Sequence, residues 1–191
     1  MEEKKDHQRS GQTIMEMVVA LSVLTIGLLG IITLLNVSLG LNRVVADNYR
    51  GTYLAAEGVE IVKSLVTTNA EKKITWCSGL PSGDYELDYR VRVPELGTYD
   101  CLAPYPGLDN AANQPLRLHA TSHLYDYDRS GSVPTIFYRT VSISYEPAGP
   151  NAEDDKMIVQ SVVHWKDRTG DNRVDLIDYI FNPAPTVPTT P

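Results

Sequence analysis

The chain has 191 residues, with 17 basic and 24 acidic side chains and a formal net charge of −7. This length favours one domain, with or without an appendage, and an apolar fraction of 42% argues against a wholly disordered chain. The acidic balance argues against a nucleic-acid-binding protein, because neutralising phosphates requires clustered lysine and arginine. Two cysteines exclude a disulfide-dense scaffold and an all-cysteine zinc site.

The N-terminal region combines a polar segment with a long apolar run. Residues 1–11 read MEEKKDHQRSG, and no charged side chain occurs from Met17 to Leu41. As a helix this run would be about 37 Å long, which exceeds the ~30 Å hydrocarbon core of a bilayer. The polar segment carries three basic residues, whereas Arg43 and Arg50 are the nearest ones beyond the run. We therefore predict a single-pass membrane helix with the polar segment inside and the C-terminal domain outside.

Glu16 does not fit an ordinary membrane anchor. It lies one residue before the uncharged run and five positions after Gly11. A carboxylate costs roughly 2.5–3.5 kcal/mol at the bilayer centre and less near the interface, so an interfacial glutamate at a helix end is one interpretation. A signal peptide would be cut behind its apolar core. A cut after Gly11 would instead leave the membrane helix on the mature chain.

The segment GQTIMEMVVALSVLTIGLLGIITLL (11–35) resembles the prepilin processing and N-methylation motif of type IV pilins and pseudopilins. The resemblance implies cleavage after Gly11 by a prepilin peptidase, with Gln12 as the new and methylatable N-terminus. It also implies that Glu16 pairs with the α-ammonium group of this or a neighbouring subunit and sets the axial register during assembly. Gln12 departs from the family pattern, in which phenylalanine is the commonest residue at this position.

A helical pattern continues beyond Leu41. Apolar side chains recur at three- and four-residue spacing, namely at Val45, Tyr49, Tyr53, Ala56, Val59, Val62 and Val66. We predict one helix from Gln12 to about Thr68. In its second half this apolar stripe packs on a globular domain. The apolar first half then requires a membrane or other subunits around it.

Four later segments are rich in β-branched and aromatic residues and predict strands: residues 84–93, 135–146, 156–167 and 172–182. The connections PAGPNAEDD (147–155) and RTGD (168–171) are typical of hairpin loops. We expect an antiparallel meander across the C-terminal half of the helix. Together with YLAAEGVEIVKSL on the helix, these strands resemble minor pilins of the pilus-modification type. The expected fold class is α+β, a pilin-like lollipop with a protruding apolar helix half.

This pattern divides the chain into four parts. We predict a prepilin leader at 1–11, an apolar helix half at 12–41, an amphipathic helix half with the β domain at 42–182, and a Pro- and Thr-rich tail at 183–191. The tail has no apolar period. It is therefore expected to be either a plain flexible end or a carrier of O-linked sugar.

Cys77 and Cys101 are 24 positions apart in a region rich in loop-forming residues. Outside the cytoplasm such a pair is usually a disulfide, and we predict this bond. Two reduced thiols would require a different compartment.

The segment DYDRSG (126–131) suggests a calcium loop, since oxygen-bearing side chains alternate before a glycine: Asp126, Asp128 and Ser130. The twelfth position is Phe137 instead of a bidentate glutamate, which excludes a complete EF-hand loop. Residues from elsewhere in the chain, such as Asp167 or Asp171, could complete a partial site. The alternative is a turn with solvated carboxylates, and we expect no cofactor.

Catalytic patterns are scarce. His119, His123 and His164 lie on different segments, and no HExxH, GxSxG or P-loop pattern occurs. We expect a structural subunit, not an enzyme, that is stored in the cytoplasmic membrane and assembled into an extracellular filament. Its expected partners are other pilin subunits, a prepilin peptidase, the membrane and an assembly platform. The alternatives are a membrane-tethered adhesin or binding module, a pseudopilin of a secretion or DNA-uptake machine, and a membrane-anchored enzyme.

Overall fold

A computed structural model describes residues 3–95, 100–146, 156–168 and 170–182, with side chains from Gln12 onward. The chain divides into two compact units, Met1–Asp47 and Asn48–Pro191. The predicted loop 147–155, the tail 183–191 and the leader side chains lie outside the described residues.

One long helix, α1, covers Glu3–Glu71. No proline occurs before Pro81, so nothing in this segment removes a helical N–H group. After Glu71 the chain turns through Lys73, which has a φ of 57°, and the Ile74 N–H donates to the Asn69 carbonyl at 3.0 Å. The α1 helix contains the whole predicted segment from Gln12 to Thr68.

Among the residues that the structure describes, seven strands follow and form one sheet. Their bounds are β1 Gly83–Glu86, β2 Asp109–Asn110, β3 Pro115–His119, β4 Tyr125–Asp126, β5 Ser132–Glu146, β6 Lys156–Lys166 and β7 Asp171–Phe181.

Three long antiparallel strands dominate the sheet. β5 pairs with β6 from Phe137↔Trp165 to Glu146↔Lys156, and β6 pairs with β7 over its whole length without a register shift. On its other side β5 pairs with β3 and with β1. β3 also pairs with the two-residue strand β4, and β1 pairs with the two-residue strand β2. This arrangement confirms the predicted antiparallel meander and the α+β class, with a long apolar N-terminal helix and a C-terminal sheet.

Within the C-terminal unit, α1 approaches the sheet closely through two glycines. A Cβ atom at Gly51 would lie 2.5 Å from the Trp165 ring, and one at Gly58 would lie 2.5 Å from Ser161 Oγ and 2.9 Å from Val141 Cγ2. Only a residue without a side chain allows this approach. Gly51 and Gly58 are two helical turns apart and share one face of the helix.

The buried face of α1 differs from the predicted stripe. Val59, Val62 and Val66 are buried as expected, but Tyr49 and Tyr53 remain largely exposed, as does Val45. The prediction was wrong for these three, and for Tyr49 and Tyr53 the reason is that the sheet contacts the neighbouring face of the helix. That face buries Gly51, Leu54, Ala55, Gly58, Val59, Val62, Leu65 and Val66.

The predicted strand at 84–93 is also too long. β1 ends at Glu86, and the chain then turns because the Asp88 carboxylate accepts a hydrogen bond from the Arg90 N–H at 2.9 Å. Such a side-chain bond to a nearby backbone group competes with strand pairing.

Candidate functional site

The apolar part of α1 is the most unusual surface of the described chain. Every residue from Gln12 to Arg43 is exposed, including large side chains such as Leu34 at 71% and Leu21 at 61%. An aqueous monomer rarely exposes so many contiguous apolar side chains. By length and composition, the helix from Gln12 can cross a membrane.

The predicted processing and assembly residues lie at the start of this surface. Gly11, Gln12 and Glu16 all belong to α1, and the side chains of Gln12 and Glu16 are exposed. These two residues are four positions apart, so they are neighbours on one face of the helix. Among the described residues, no ion-pair partner faces the Glu16 carboxylate. A partner must therefore come from outside these residues if Glu16 enters a membrane.

Most hydroxyl groups in the apolar run are satisfied inside the helix. Ser22 Oγ donates to the Val18 carbonyl at 2.7 Å, Thr25 Oγ1 to the Ser22 carbonyl at 2.9 Å, and Thr33 Oγ1 to the Leu29 carbonyl at 2.9 Å. These bonds remove the cost of placing the hydroxyls in hydrocarbon.

The predicted disulfide is present, with the Cα atoms of Cys77 and Cys101 5.0 Å apart. It closes the loop that follows α1. Near the end of α1, the fully buried Asn69 amide donates to the carbonyls of Trp76 at 3.1 Å and Ser78 at 2.9 Å, and it accepts from the Tyr105 hydroxyl at 2.7 Å. These hydrogen bonds connect the end of the helix to the segments on both sides of the disulfide.

The candidate calcium residues lie in the turn around β4. Asp126 is buried, and its Oδ1 accepts from the Asp128 N–H at 3.1 Å. Asp128 in turn accepts from the Ser130 N–H at 2.9 Å and from Arg90 Nη1 at 3.1 Å. Among the described residues, no group of three or more His, Cys, Asp or Glu side chains is arranged to hold a metal ion. Asp167 and Asp171 lie at the β6–β7 turn, where Asp171 contacts Lys166 at 3.6 Å.

A cavity of about 570 Å³ lies beside the turn around β4, and the buried residues Glu86 and Asp88 are part of its lining. Glu86 Oε1 accepts from the backbone N–H groups of Ala112 at 3.1 Å and Gln114 at 2.7 Å. Arg90 Nη2 contacts Asp88 at 2.7 Å. Both carboxylates are thus engaged by other groups of the protein.

Ionisation at the cavity follows from these contacts. Burial opposes ionisation of Asp88, but hydrogen bonds from Arg90 and from the Tyr127 N–H outweigh it, so the pKa of Asp88 lies below its ordinary value. The hydrogen bond with Asp88 raises the pKa of Arg90, which stays charged. Burial raises the pKa of Tyr127 to about 12.

Of the three histidines considered above, His119 and His123 are adjacent, since the His123 N–H donates to the His119 carbonyl at 3.0 Å, whereas His164 lies on another strand. His119 ends β3, and its Nδ1 accepts from the N–H groups of Thr121 and Ser122. His123 has a φ of 56° in the turn after β3. His164 lies in β6 and stacks on Tyr138, with ring centroids 5.1 Å apart.

Sequence reasoning missed the exposed edge of the sheet. Within the described residues, β7 pairs only with β6. Its outward side chains include Ile177, Tyr179 and Phe181, each more than half exposed. The strand itself was predicted from the sequence, but its position at the edge of the sheet was not.

Comparison with protein-family models, curated proteins and solved structures finds no match to this chain.

Proposed function

We propose that this protein is a structural subunit, of the minor kind, of a type IV pilus or a related filament. The observation that carries the proposal is the apolar helix segment. It is fully exposed over Met17–Leu41, begins one residue after Glu16, and continues into a helix half that packs on an antiparallel sheet. A soluble protein would bury such a segment in its own core.

The proposed life cycle follows from this segment. The precursor is held in the cytoplasmic membrane by residues 17–41, with residues 1–11 inside. A prepilin peptidase cuts after Gly11, and the assembly platform transfers the helix from lipid to other pilin subunits in an extracellular filament. Glu16 then pairs with the ammonium group of Gln12 on this or an adjacent subunit, because an isolated carboxylate at membrane depth is costly. No enzymatic activity and no cofactor are required.

A second candidate is a filament-borne or membrane-tethered adhesin. The row Ile177, Tyr179 and Phe181 on the edge strand β7 supports it, since exposed apolar groups on an unpaired edge are typical of interaction surfaces. A pseudopilin of a secretion or DNA-uptake machine would share the helix and differ only in the filament it joins.

The decisive experiment is mass spectrometry of the protein from sheared filaments and from membranes of cells lacking the peptidase. We expect the filament form to begin at Gln12 and the peptidase-free form to retain residues 1–11. Gly11→Val should block cleavage, while Gly30→Val, a matched substitution inside the apolar run, should be processed normally. Retention of residues 1–11 in filaments, or normal processing of Gly11→Val, would overturn the proposal.

A further inference from the structure

Asn36 is the largest uncharged polar side chain within the apolar run, and it is exposed on α1. In the described part of the chain its amide makes no hydrogen bond, in contrast to the hydroxyls of Ser22, Thr25 and Thr33. A serine or threonine hydroxyl can be satisfied by the carbonyl one turn earlier. The amide of Asn36 has two donors and one acceptor, and it lies about 8 Å inside the end of the run. In hydrocarbon it needs a partner from another molecule.

Asn36 shares one helix face with most other polar side chains of the run. Successive steps of three or four residues connect a continuous row, which is Ser22, Thr25, Leu29, Thr33, Asn36 and Gly40. This spacing is the seam of a pair of packed helices, in which a single asparagine selects register and partner number. Ser38, two residues beyond Asn36, lies about 200° around the helix, on the opposite side.

We propose that Asn36 pairs with Asn36 of a second copy of this chain, in a parallel helix pair stored in the membrane. An amide both donates and accepts, so two copies satisfy each other. Copies inserted by the same apolar run hold Asn36 at the same depth, as a two-fold contact requires. This inference rests on the proposed membrane storage of the subunit. A helical filament offsets successive copies along its axis, so the contact belongs to the membrane pool and is broken on assembly.

The test is cross-linking of full-length precursor in vesicles of phosphatidylethanolamine and phosphatidylglycerol. Both native cysteines form the Cys77–Cys101 disulfide, so an added cysteine is the sole free thiol. Leu29→Cys places it on the seam, two turns before Asn36, and Ile31→Cys places it on the opposite face. Leu29→Cys should give oxidised dimers and Ile31→Cys few.

Asn36→Leu should then lower the dimer fraction of Leu29→Cys about three- to tenfold, the range expected for an interhelical hydrogen bond in a membrane. Ser38→Leu is the matched control and should leave the fraction unchanged. Asn36→Gln should retain part of the pairing. Equal dimer fractions for Asn36→Leu and the parent, or equal cross-linking at Leu29→Cys and Ile31→Cys, would overturn the inference.

Membrane insertion distinguishes failure of the Asn36 contact from failure of the proposed function. Protein that washes off the vesicles at alkaline pH would overturn the proposed membrane storage and this inference together. Protein that stays inserted but does not pair through Asn36 would overturn the inference alone and leave the filament proposal standing.

Discussion

Residues 17–41 and residues 51–66 belong to the same helix but place their apolar side chains in opposite environments. Leu21 is 61% exposed and Leu34 71%, whereas Leu54 is 3% and Val62 0% exposed. The second segment is buried by its own sheet. The first exposes its whole circumference, so its burial must be supplied by lipid or by other chains. One helix thus combines a half that is buried on the sheet and an apolar half that is exposed, for which we propose a role in assembly.

The largest expected effect separates assembly from folding. Glu16→Val should reduce incorporation into filaments roughly tenfold or more, because it removes a charge whose pairing selects register. Membrane insertion should be at least as good as in the parent, since the helix becomes more apolar. Glu16→Asp should be intermediate. Quantifying the protein in filament and membrane fractions checks this, and parental incorporation of Glu16→Val would show that Glu16 is merely interfacial.

Loss of the disulfide should lower the stability of the C-terminal unit only. The double variant Cys77→Ser, Cys101→Ser should lose about 3 kcal/mol of unfolding free energy, because the bond no longer restricts the unfolded chain. Denaturant titration followed by Trp76 and Trp165 fluorescence measures this loss. Reduction of the parent should cause the same loss and have no effect on the double variant. A loss below about 1 kcal/mol would contradict the stabilising role.

Matched glycine substitutions compare the two halves directly. Gly58→Val should cost about 2 kcal/mol, because its side chain would meet Ser161 and Val141 on the sheet. Gly30→Val is the control, since apart from the adjacent helix backbone nothing lies within 4 Å of a Cβ atom there. Its unfolding free energy should match that of the parent. Similar destabilisation by both substitutions would mean that the apolar half also packs within the monomer.

The smallest effect concerns the ion pair between α1 and β7. Lys63 Nζ lies 2.5 Å from Asp178 Oδ2, and both side chains are more than a third exposed. The hydrogen bond from Lys63 lowers the pKa of Asp178, and the hydrogen bond to Asp178 raises the pKa of Lys63. Because the pair is near the surface, it should contribute less than about 1 kcal/mol.

The pH dependence of this pair follows from the two shifts. The Asp178 contribution is complete above its unfolded pKa of about 3.9 and is lost as the pH falls through the lowered folded value. The Lys63 contribution is complete below about 10.4 and is lost as the pH rises through the raised folded value. In a plot of unfolding free energy against pH, Lys63→Gln should reduce the loss of stability at both acidic and basic pH. Lys166→Gln, at the more exposed contact with Asp171, should not.

Much of the fold was predictable because it depends on local patterns. The strands β5, β6 and β7 begin and end within a few residues of the predicted segments, since alternating β-branched residues bounded by loop signals favour hairpins. The bond between Cys77 and Cys101 is confirmed. Cleavage after Gly11 and the role of Glu16 stay predictions, because both involve molecules other than this chain.

Other features depended on contacts between distant residues. Arg139 carries a charge in a predicted strand, yet it is buried and donates to the carbonyls of Leu54 at 2.9 Å and Leu87 at 2.6 Å, with Glu57 3.3 Å away. No pattern in the nearby sequence indicates that these residues would be the hydrogen-bond and ion-pair partners of Arg139. The same holds for Asn69, whose three hydrogen bonds join the helix end to the disulfide loop.

By itself the sequence determined the long helix, its apolar first half, the spacing of Gly11 and Glu16, and the β5–β6–β7 meander. Each of these depends on residues close together in the chain, where side-chain period and loop chemistry act directly. Only the tertiary structure decided which helix face is buried, why Gly51 and Gly58 are required, and which carbonyls accept hydrogen bonds from the buried Arg139. These outcomes depend on how closely the sheet approaches the helix, a distance set by packing between residues far apart in the chain.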